Sequence, residues 1–407
     1  MNQIKLGIIK EGKVPPDKRV PLTPKQCKLV EAKFPNVKVV VQSSNIRCFT
    51  DEAYKNEGIE VQNDLKDCDI IIGVKEVNIQ DLIPKKKFMF FSHTIKKQPY
   101  NQKLLQAIME KKIQLIDYEV LKDKHNKRII GFGRYAGIVG AYNGIKLLGK
   151  KYGQFSIKPA NQCHDRQELD AELTKVVLPS NYKIVMTGHG RVGHGVREIL
   201  DQLPITEVTP EEFLNGDFDF PIFTHLETED YYKRKNGAAF VKEEFYENPE
   251  LFTNNFTRFT KHADMFIASH YWSSKSPYIL TQEDLAAPDN KIKVVSDISC
   301  DVKGPIASTI RASKIADPFY GYNPKTGEEC DWKDQQAIAV MAVDNLPCEL
   351  PKDASEDFGN ELIKQVFPAL FGNDPDNIIG RGSETDLNGH LTDYFTYLQD
   401  YADGYTN

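Results

Sequence analysis

KIVMTGHGRVGHGVREIL, residues 183–200, decides how the rest of the chain is read. The apolar run Ile184-Val185-Met186 ends at Thr187. Gly188, Gly190 and Gly193 follow in GxGxxG spacing, with Arg191 and Val192 between the second and third glycines. Val196, Ile199 and Leu200 then carry a helical period. In a strand–turn–helix context the first glycine permits a tight turn and the second lets backbone approach a pyrophosphate. The third lets the helix sit close on the strand. The free N–H groups and positive end of that helix then face the phosphates. The reading predicts a dinucleotide site built on Gly188, Gly190, Arg191, Val192 and Gly193. An acid for the ribose is expected about 20 residues on. Glu207 stands near that distance, with Glu211 and Glu212 competing.

Outward from that stretch the pattern alternates. IKLGII (4–9), VKVVVQ (37–42), DIIIGV (69–74), KFMFFS (87–92) and IQLIDY (113–118) are short apolar runs, separated by stretches of helical spacing such as NQKLLQAIMEKK. After the glycine motif, ADMFIASHYW, IKVVSDIS and QAIAVMAVD restore the strand pattern, whereas FDFPIFTHL reads as either a strand or part of an irregular insertion. Such alternation predicts an α/β protein with two Rossmann-like domains, largely parallel sheets and a cleft between them. The first domain is expected to combine residues 1–133 with a returning segment, 346–407. The second, 134–345, is expected to bind the dinucleotide, with the Gly-punctuated helix of RIIGFGRYAGIVGAYNGIKLLG as the crossing.

The strand ends are the chemical signal in the first half. IKLGII runs into Lys10-Glu11 and DIIIGV into Lys75-Glu76, KFMFFS stops at His93, and IQLIDY stops at Glu119. In an open α/β sheet the carboxyl ends of the strands line the ligand crevice, so Lys, His and Glu would converge there.

Composition bounds the alternatives. The 407 residues are too many for one typical domain, and 40% hydrophobic with 27% charged residues suits a globular protein. A net charge of -6 argues against a nucleic-acid-binding surface. No apolar stretch approaches the roughly 18 residues of a membrane span. The N-terminus shows no leader pattern, and seven scattered cysteines without a CxxC pair fit neither a disulfide framework nor a metal site. A cytoplasmic protein without metal, membrane or nucleic-acid partners is expected, as a monomer or homo-oligomer.

KRVPLTPK, IIIGVK, FFSHTIKKQ, IQLIDYE, KRIIGFGRYAG, FYENPELFTNNF, VVSDIS and AVDNLPCELPKDASEDFG occur in that order over about residues 5 to 370. In these stretches the chain resembles the lysine-forming saccharopine dehydrogenases and the lysine–ketoglutarate reductase modules of aminoadipate-semialdehyde synthases, which belong with the alanine dehydrogenases and transhydrogenases. The resemblance implies reversible reductive condensation of lysine and 2-oxoglutarate to saccharopine with a nicotinamide cofactor. It implies Lys75 and His93 as the proton-handling pair and Glu119 as the acid that tunes them. Arg19 and Arg128 would hold substrate carboxylates, and Asp344 would stand near the lysine amine. No second catalytic module is visible, which implies a monofunctional enzyme. The departures are Ala268-Ser269-His270 where relatives carry an Asn-Gly-Ile type sequence, and His189 and His194 in the glycine loop. Glu207 on a ribose would favour NAD, while Lys233-Arg234-Lys235 would suit the extra phosphate of NADP. Rival readings are an alanine dehydrogenase-like or other opine-forming reductase, and a nucleotide-binding regulatory subunit without catalysis.

Overall fold

The computed structural model describes residues 3–405. The chain forms two compact units, Met1–Phe132 with Pro351–Asn407, and Gly133–Leu350.

The first unit is built on β1 (Ile4–Ile8), β2 (Val37–Gln42), β3 (Glu60–Gln62), β4 (Ile70–Ile72), β5 (Lys87–Phe90) and β6 (Gln114–Asp117). They pair in the order β3-β2-β1-β4-β5-β6, all parallel. Residues on both faces of β1, β2, β4 and β5 are buried, which is why these strands read as apolar runs rather than alternating ones. The helix Pro24–Lys33 begins where Thr23 and Gln26 form a capping box, with Pro24 in the first turn. The C-terminal segment completes this unit: Phe358, Leu362, Val366 and Phe367 join the core of Leu6, Ile8, Val39 and Val41. Between the helices Pro351–Glu361 and Phe367–Phe371 lies a π turn, Leu362–Val366, next to Pro368, which has no N–H to continue the α ladder.

The second unit holds β7 (Lys183–Thr187), β8 (Thr206–Glu207) and β9 (Ile222–Leu226), then a small antiparallel pair, β10 (Tyr232–Arg234) with β11 (Phe252–Asn254). β12 (Met265–Ala268), β13 (Val294–Asp297), β14 (Phe319–Asn323), β15 (Glu328–Cys330) and β16 (Ile338–Met341) follow. Its main sheet runs β15-β14-β16-β13-β12-β7-β9-β8. The pairs from β8 to β16 are parallel, and β14 and β15 add an antiparallel edge. FDFPIFTHL therefore contains an inner strand, β9. The weakly periodic aromatic segment after it is the β10–β11 ribbon, where the Tyr232 and Phe245 rings stack and Phe252 meets Phe240 and Phe245 edge to face. Among the described residues no helix is long and apolar enough to cross a membrane, no group of His, Cys, Asp and Glu is placed to hold a metal, and the cysteines are free.

Within the second unit the long helix Gly133–Tyr152 packs on Arg191–Leu200, the helix after the glycine turn, at backbone distance. A Cβ at Gly137 would stand 1.9 Å from the Val192 carbonyl oxygen, and one at Gly195 would stand 2.0 Å from that of Arg134. Backbone cannot yield as a flexible side chain can, so any larger residue forces the helices apart. Gly137→Ala is expected to destabilise the protein by about 1–3 kcal/mol, the usual cost of overpacking. Thermal denaturation checks this, and an unchanged midpoint would contradict the close approach.

Candidate active site

Lys75 follows β4 by way of Gly73 and Val74, and a second carboxylate fixes the turn. Glu11, just beyond β1, accepts the Val74 N–H at 2.7 Å and the Lys75 N–H at 3.0 Å. Desolvation pushes its carboxyl up to about 7, against the pull of these two bonds. Burial, together with the positive charges of Arg19 and Lys13, holds the Lys75 ammonium below its ordinary value. A lysine so placed can exchange its proton with a substrate amine.

His93 follows β5 in a left-handed conformation, φ 54° and ψ 13°. Its Nδ1 lies 2.5 Å from Glu76 Oε1, the residue next to Lys75. Burial opposes ionisation of Glu76, but the His93 hydrogen bond, with the charges of His93 and Lys13, brings its carboxyl down to about 2. An ionised acceptor at Nδ1 requires the proton on that nitrogen and leaves Nε2 for exchange. His93 is thus hydrogen-bonded to Glu76, and Lys75 precedes Glu76 and feels its charge, so the three form one group on two neighbouring strand ends. Glu76 is named in the sequence as a strand-end acid beside Lys75, but no spacing there assigns it to His93.

The remaining expected residues of this unit are Glu119, Arg128 and Arg19. Glu119 pairs with Lys96 at 3.3 Å and Arg128 at 3.9 Å, so its ion pairs are with cations and not with the Lys75–His93 group. The Arg128 side chain is two-fifths exposed and lies over the Phe91 ring, which itself stacks near His93. Arg19 is 2% exposed. Its guanidinium grips Asp17 in a fork, Nε to Oδ1 at 3.0 Å and Nη2 to Oδ2 at 2.6 Å, and lies 4.2 Å from the Phe132 ring centroid. Burial would raise the Asp17 carboxyl, yet Arg19 keeps it far below its ordinary value. A substrate carboxylate at Arg19 would have to compete with this pair.

In the second unit the three glycines differ in what a side chain would meet. Gly188 has φ +97°, and a Cβ there would lie 2.3 Å from the Ser269 carbonyl oxygen. One at Gly193 would lie 1.8 Å from the Gly188 oxygen. At Gly190, the N-cap of Arg191–Leu200, nothing stands within 4 Å. Turn, close packing and open approach are thus separated residue by residue, as a phosphate cradle needs. The turn opens on a cavity of about 640 Å³ lined by Gly188 to Val192, Glu227, His270 and the aromatic ribbon. His189 and His225 stack flat, 3.6 Å apart, and His225 Nε2 donates to the Gly188 oxygen at 2.8 Å. His270 is buried with Nδ1 2.7 Å from Thr187 Oγ1, while its Nε2 has no hydrogen-bond partner among the described residues. Burial lowers this imidazole to about 4, so it is neutral at pH 7.

The topology offers a second candidate for the ribose acid. Glu207 lies on β8, the outermost strand, and is exposed and bound to Arg197. The strand next to β7 is β9, and the residue closing it is Glu227, which lines the cavity beside the glycine turn. The insertion of β8 and the helix Pro210–Asn215 before β9 puts Glu227 further along the chain than the usual spacing. The signal, an apolar run IFTHL ending in Glu, was present but lay beyond the usual spacing. Asp344 is exposed at the end of the β16 stretch.

Residues 7–139 match the family described as alanine dehydrogenase/PNT, N-terminal domain. The chain is 29% identical over 431 residues to the mitochondrial alpha-aminoadipic semialdehyde synthase of Mus musculus, covering 94% of this chain and 46% of that protein. Against the alpha-aminoadipic semialdehyde synthase of Arabidopsis thaliana it is 29% identical, covering 88% and 37%. The chain thus spans less than half the length of these two relatives. It is 26% identical to the saccharopine dehydrogenase (NAD(+), L-lysine-forming) of Neurospora crassa, covering 81% of this chain and 82% of that one. Among solved structures, an L-alanine dehydrogenase superposes with a TM-score of 0.63 at 16% identity, over 98% of this chain and 99% of that one. A transhydrogenase from Sinorhizobium meliloti gives 0.61 at 15%, over 95% and 100%. The α/β class with largely parallel sheets holds, and so does the family resemblance read from the sequence.

The cradle makes a separable prediction. Gly190→Ala places a methyl in open space at a φ that any residue adopts, so the thermal midpoint should stay within about 1 °C while dinucleotide affinity falls about tenfold or more, near 1.4 kcal/mol. Glu227→Ala should also weaken the dinucleotide, and Glu207→Ala should not. Calorimetric titration with NADH and NADPH checks all three, and loss confined to Glu207→Ala would restore the original assignment.

Proposed function

We propose that this chain is a lysine-forming saccharopine dehydrogenase within the alanine dehydrogenase and transhydrogenase group, reversibly condensing L-lysine and 2-oxoglutarate to saccharopine. The observation that carries the reading is the connected group Lys75–Glu76–His93, in a chain whose relatives of matching length are named for that reaction. The glycine turn with its open Gly190 and the acid Glu227 fit a nicotinamide dinucleotide, and the negative charge at Glu227 favours NAD over NADP. When bound, the reduced nicotinamide supplies hydride for the carbon of a C=N bond.

The chain's own residues handle the protons. Attack of the lysine ε-amine on the 2-oxoglutarate ketone forms a C–N bond and requires a proton to leave nitrogen and another to reach the alkoxide. Lys75, with its ammonium proton loosened by burial and by its cationic neighbours, can relay the first. Breaking the C–O bond of the carbinolamine expels water only if the hydroxyl is protonated. His93 Nε2 is the available donor, with Nδ1 held by Glu76. Such transfers are commonly worth about 10²–10⁴ in rate. Arg128 is the more exposed guanidinium for a substrate carboxylate, since Arg19 is held by Asp17. An anchor set reduced in this way also suits a substrate with fewer carboxylates, which keeps alanine with pyruvate as a second reading.

Nicotinamide absorbance with lysine, alanine or no amine, each with 2-oxoglutarate or pyruvate and with both cofactors, tests the assignment. Turnover confined to lysine with 2-oxoglutarate is expected, and turnover confined to alanine would replace it. The double variant Lys75→Met, His93→Gln should lose about 100-fold or more in kcat while binding dinucleotide as before. A near-native rate would remove both residues from the mechanism.

A further inference from the structure

Beneath His93 lie two fully buried carboxyl groups, Asp117 and Glu384, that the proposed chemistry does not use. Asp117 closes β6, paired with Phe90 at the end of the strand that leads to His93. Glu384 arrives from the C-terminal segment, where its N–H donates to the Leu115 oxygen at 2.8 Å. The residues on either side of His93 connect them. Ser92 donates its backbone N–H to Asp117 Oδ2 at 3.1 Å and its hydroxyl to the same oxygen at 2.5 Å. Thr94 Oγ1 lies 2.5 Å from Ser92 Oγ and 2.5 Å from Glu384 Oε2, and Ser92 Oγ lies 3.2 Å from Glu384 Oε1. Asp117 Oδ1 accepts the Glu119 N–H at 2.6 Å.

Counting protons separates the two acids. Asp117 receives a backbone N–H on each oxygen, which suits a carboxylate, whereas the side-chain partners of Glu384 are hydroxyls, which accept as well as donate. With the Ser92 proton given to Asp117, the Thr94 proton fills the 2.5 Å contact between the two hydroxyls, so the 2.5 Å contact of Thr94 Oγ1 with Glu384 Oε2 needs a proton on the acid. No cation pairs with either among the described residues, so two buried negative charges would face each other without compensation. The ionisable groups around them are Glu119 and the phenols of Tyr118, Tyr397 and Tyr401, all acids. Burial pushes both carboxyls up, with Glu384 well above its ordinary value.

We infer that Asp117 and Glu384 are positioning residues for His93, a charged carboxylate and a neutral carboxylic acid that together clamp the Ser92 and Thr94 turn and so set the imidazole. This rests on the reading of His93 as a proton-handling residue. The left-handed backbone at His93 is uncommon for a residue with a side chain and persists only where its surroundings impose it. The clamp supplies that imposition from both sides, and through Asp117 it also holds Glu119.

The test uses the whole chain and two readouts. The His93 imidazole is followed by NMR without substrate, assigned by its loss in His93→Gln, and kcat and KM are measured with lysine and 2-oxoglutarate. Glu384→Ala should move the His93 resonances and lower kcat at least tenfold, leaving KM for the dinucleotide within twofold. Glu384→Gln, neutral like the protonated acid, should recover most of both, whereas Asp117→Asn should not. His93 resonances unmoved in Glu384→Ala, or Glu384→Gln as damaging as Glu384→Ala, would overturn the inference. So would a benign Asp117→Asn. If Glu384→Ala does not fold, Glu384→Asp, with the carboxyl drawn back by one methylene, replaces it under the same criteria. Should the native protein turn over no lysine, the functional reading falls, while the NMR comparison still decides the clamp.

Discussion

A parallel strand buried on both faces can carry a charge only where it ends. That constraint organises both units. Within β4, β5 and β12 every residue past the first is buried, so ionisable groups are driven to the carboxyl ends, where Lys75, His93 and His270 stand, and Glu227 follows β9 in the same way. Nearly every later feature answers a difficulty this creates. Charges brought to the margin of an apolar core must be paired, hydrogen-bonded or neutralised. Glu11 is spent on two backbone N–H groups, Asp17 on Arg19, and Glu76 on His93.

The same constraint made much of the site legible. Runs such as DIIIGV and KFMFFS announce buried parallel strands, and the next polar residue marks where a side chain first reaches the margin. Lys75, His93 and the glycine turn are therefore readable without coordinates. What was not readable is lateral order. Which strand lies beside β7 depends on how an inserted stretch folds, and a two-residue edge strand with a short helix precedes β9. Spacing along the chain then pointed to Glu207, whereas adjacency across the sheet points to Glu227. The aromatic β10–β11 ribbon was hidden for a related reason. Its strands are three residues each and are held by ring packing rather than by a periodic pattern.

Partner choice was equally hidden. A sequence shows an arginine but not the acid that holds it, and Arg19 is separated from Asp17 by one residue on a segment without regular structure. Glu384 lies 267 residues from Asp117 in number, and no pattern of local spacing joins them. Long-range pairs of this kind are set by where the returning C-terminal segment docks on the first sheet, through Leu115 and Thr385 beside β6.

Seen electrostatically, Arg19 has a purpose that does not require it to touch substrate. Its guanidinium is fixed by Asp17 and its charge bears on Lys75, where with Lys13 it adds to burial in loosening the ammonium proton. Asp17 acts on Lys75 in the opposite sense, so the fork sets a balance rather than a simple push. An arginine that never titrates is suited to this, because its influence on a neighbouring lysine stays constant across the pH range in which the lysine must exchange protons. The residue expected to clamp a carboxylate is thus better placed to act on Lys75, and under the proposed reading the substrate carboxylates fall to the exposed face around Arg128, where Glu119 and Lys96 already form a mixed-charge cluster.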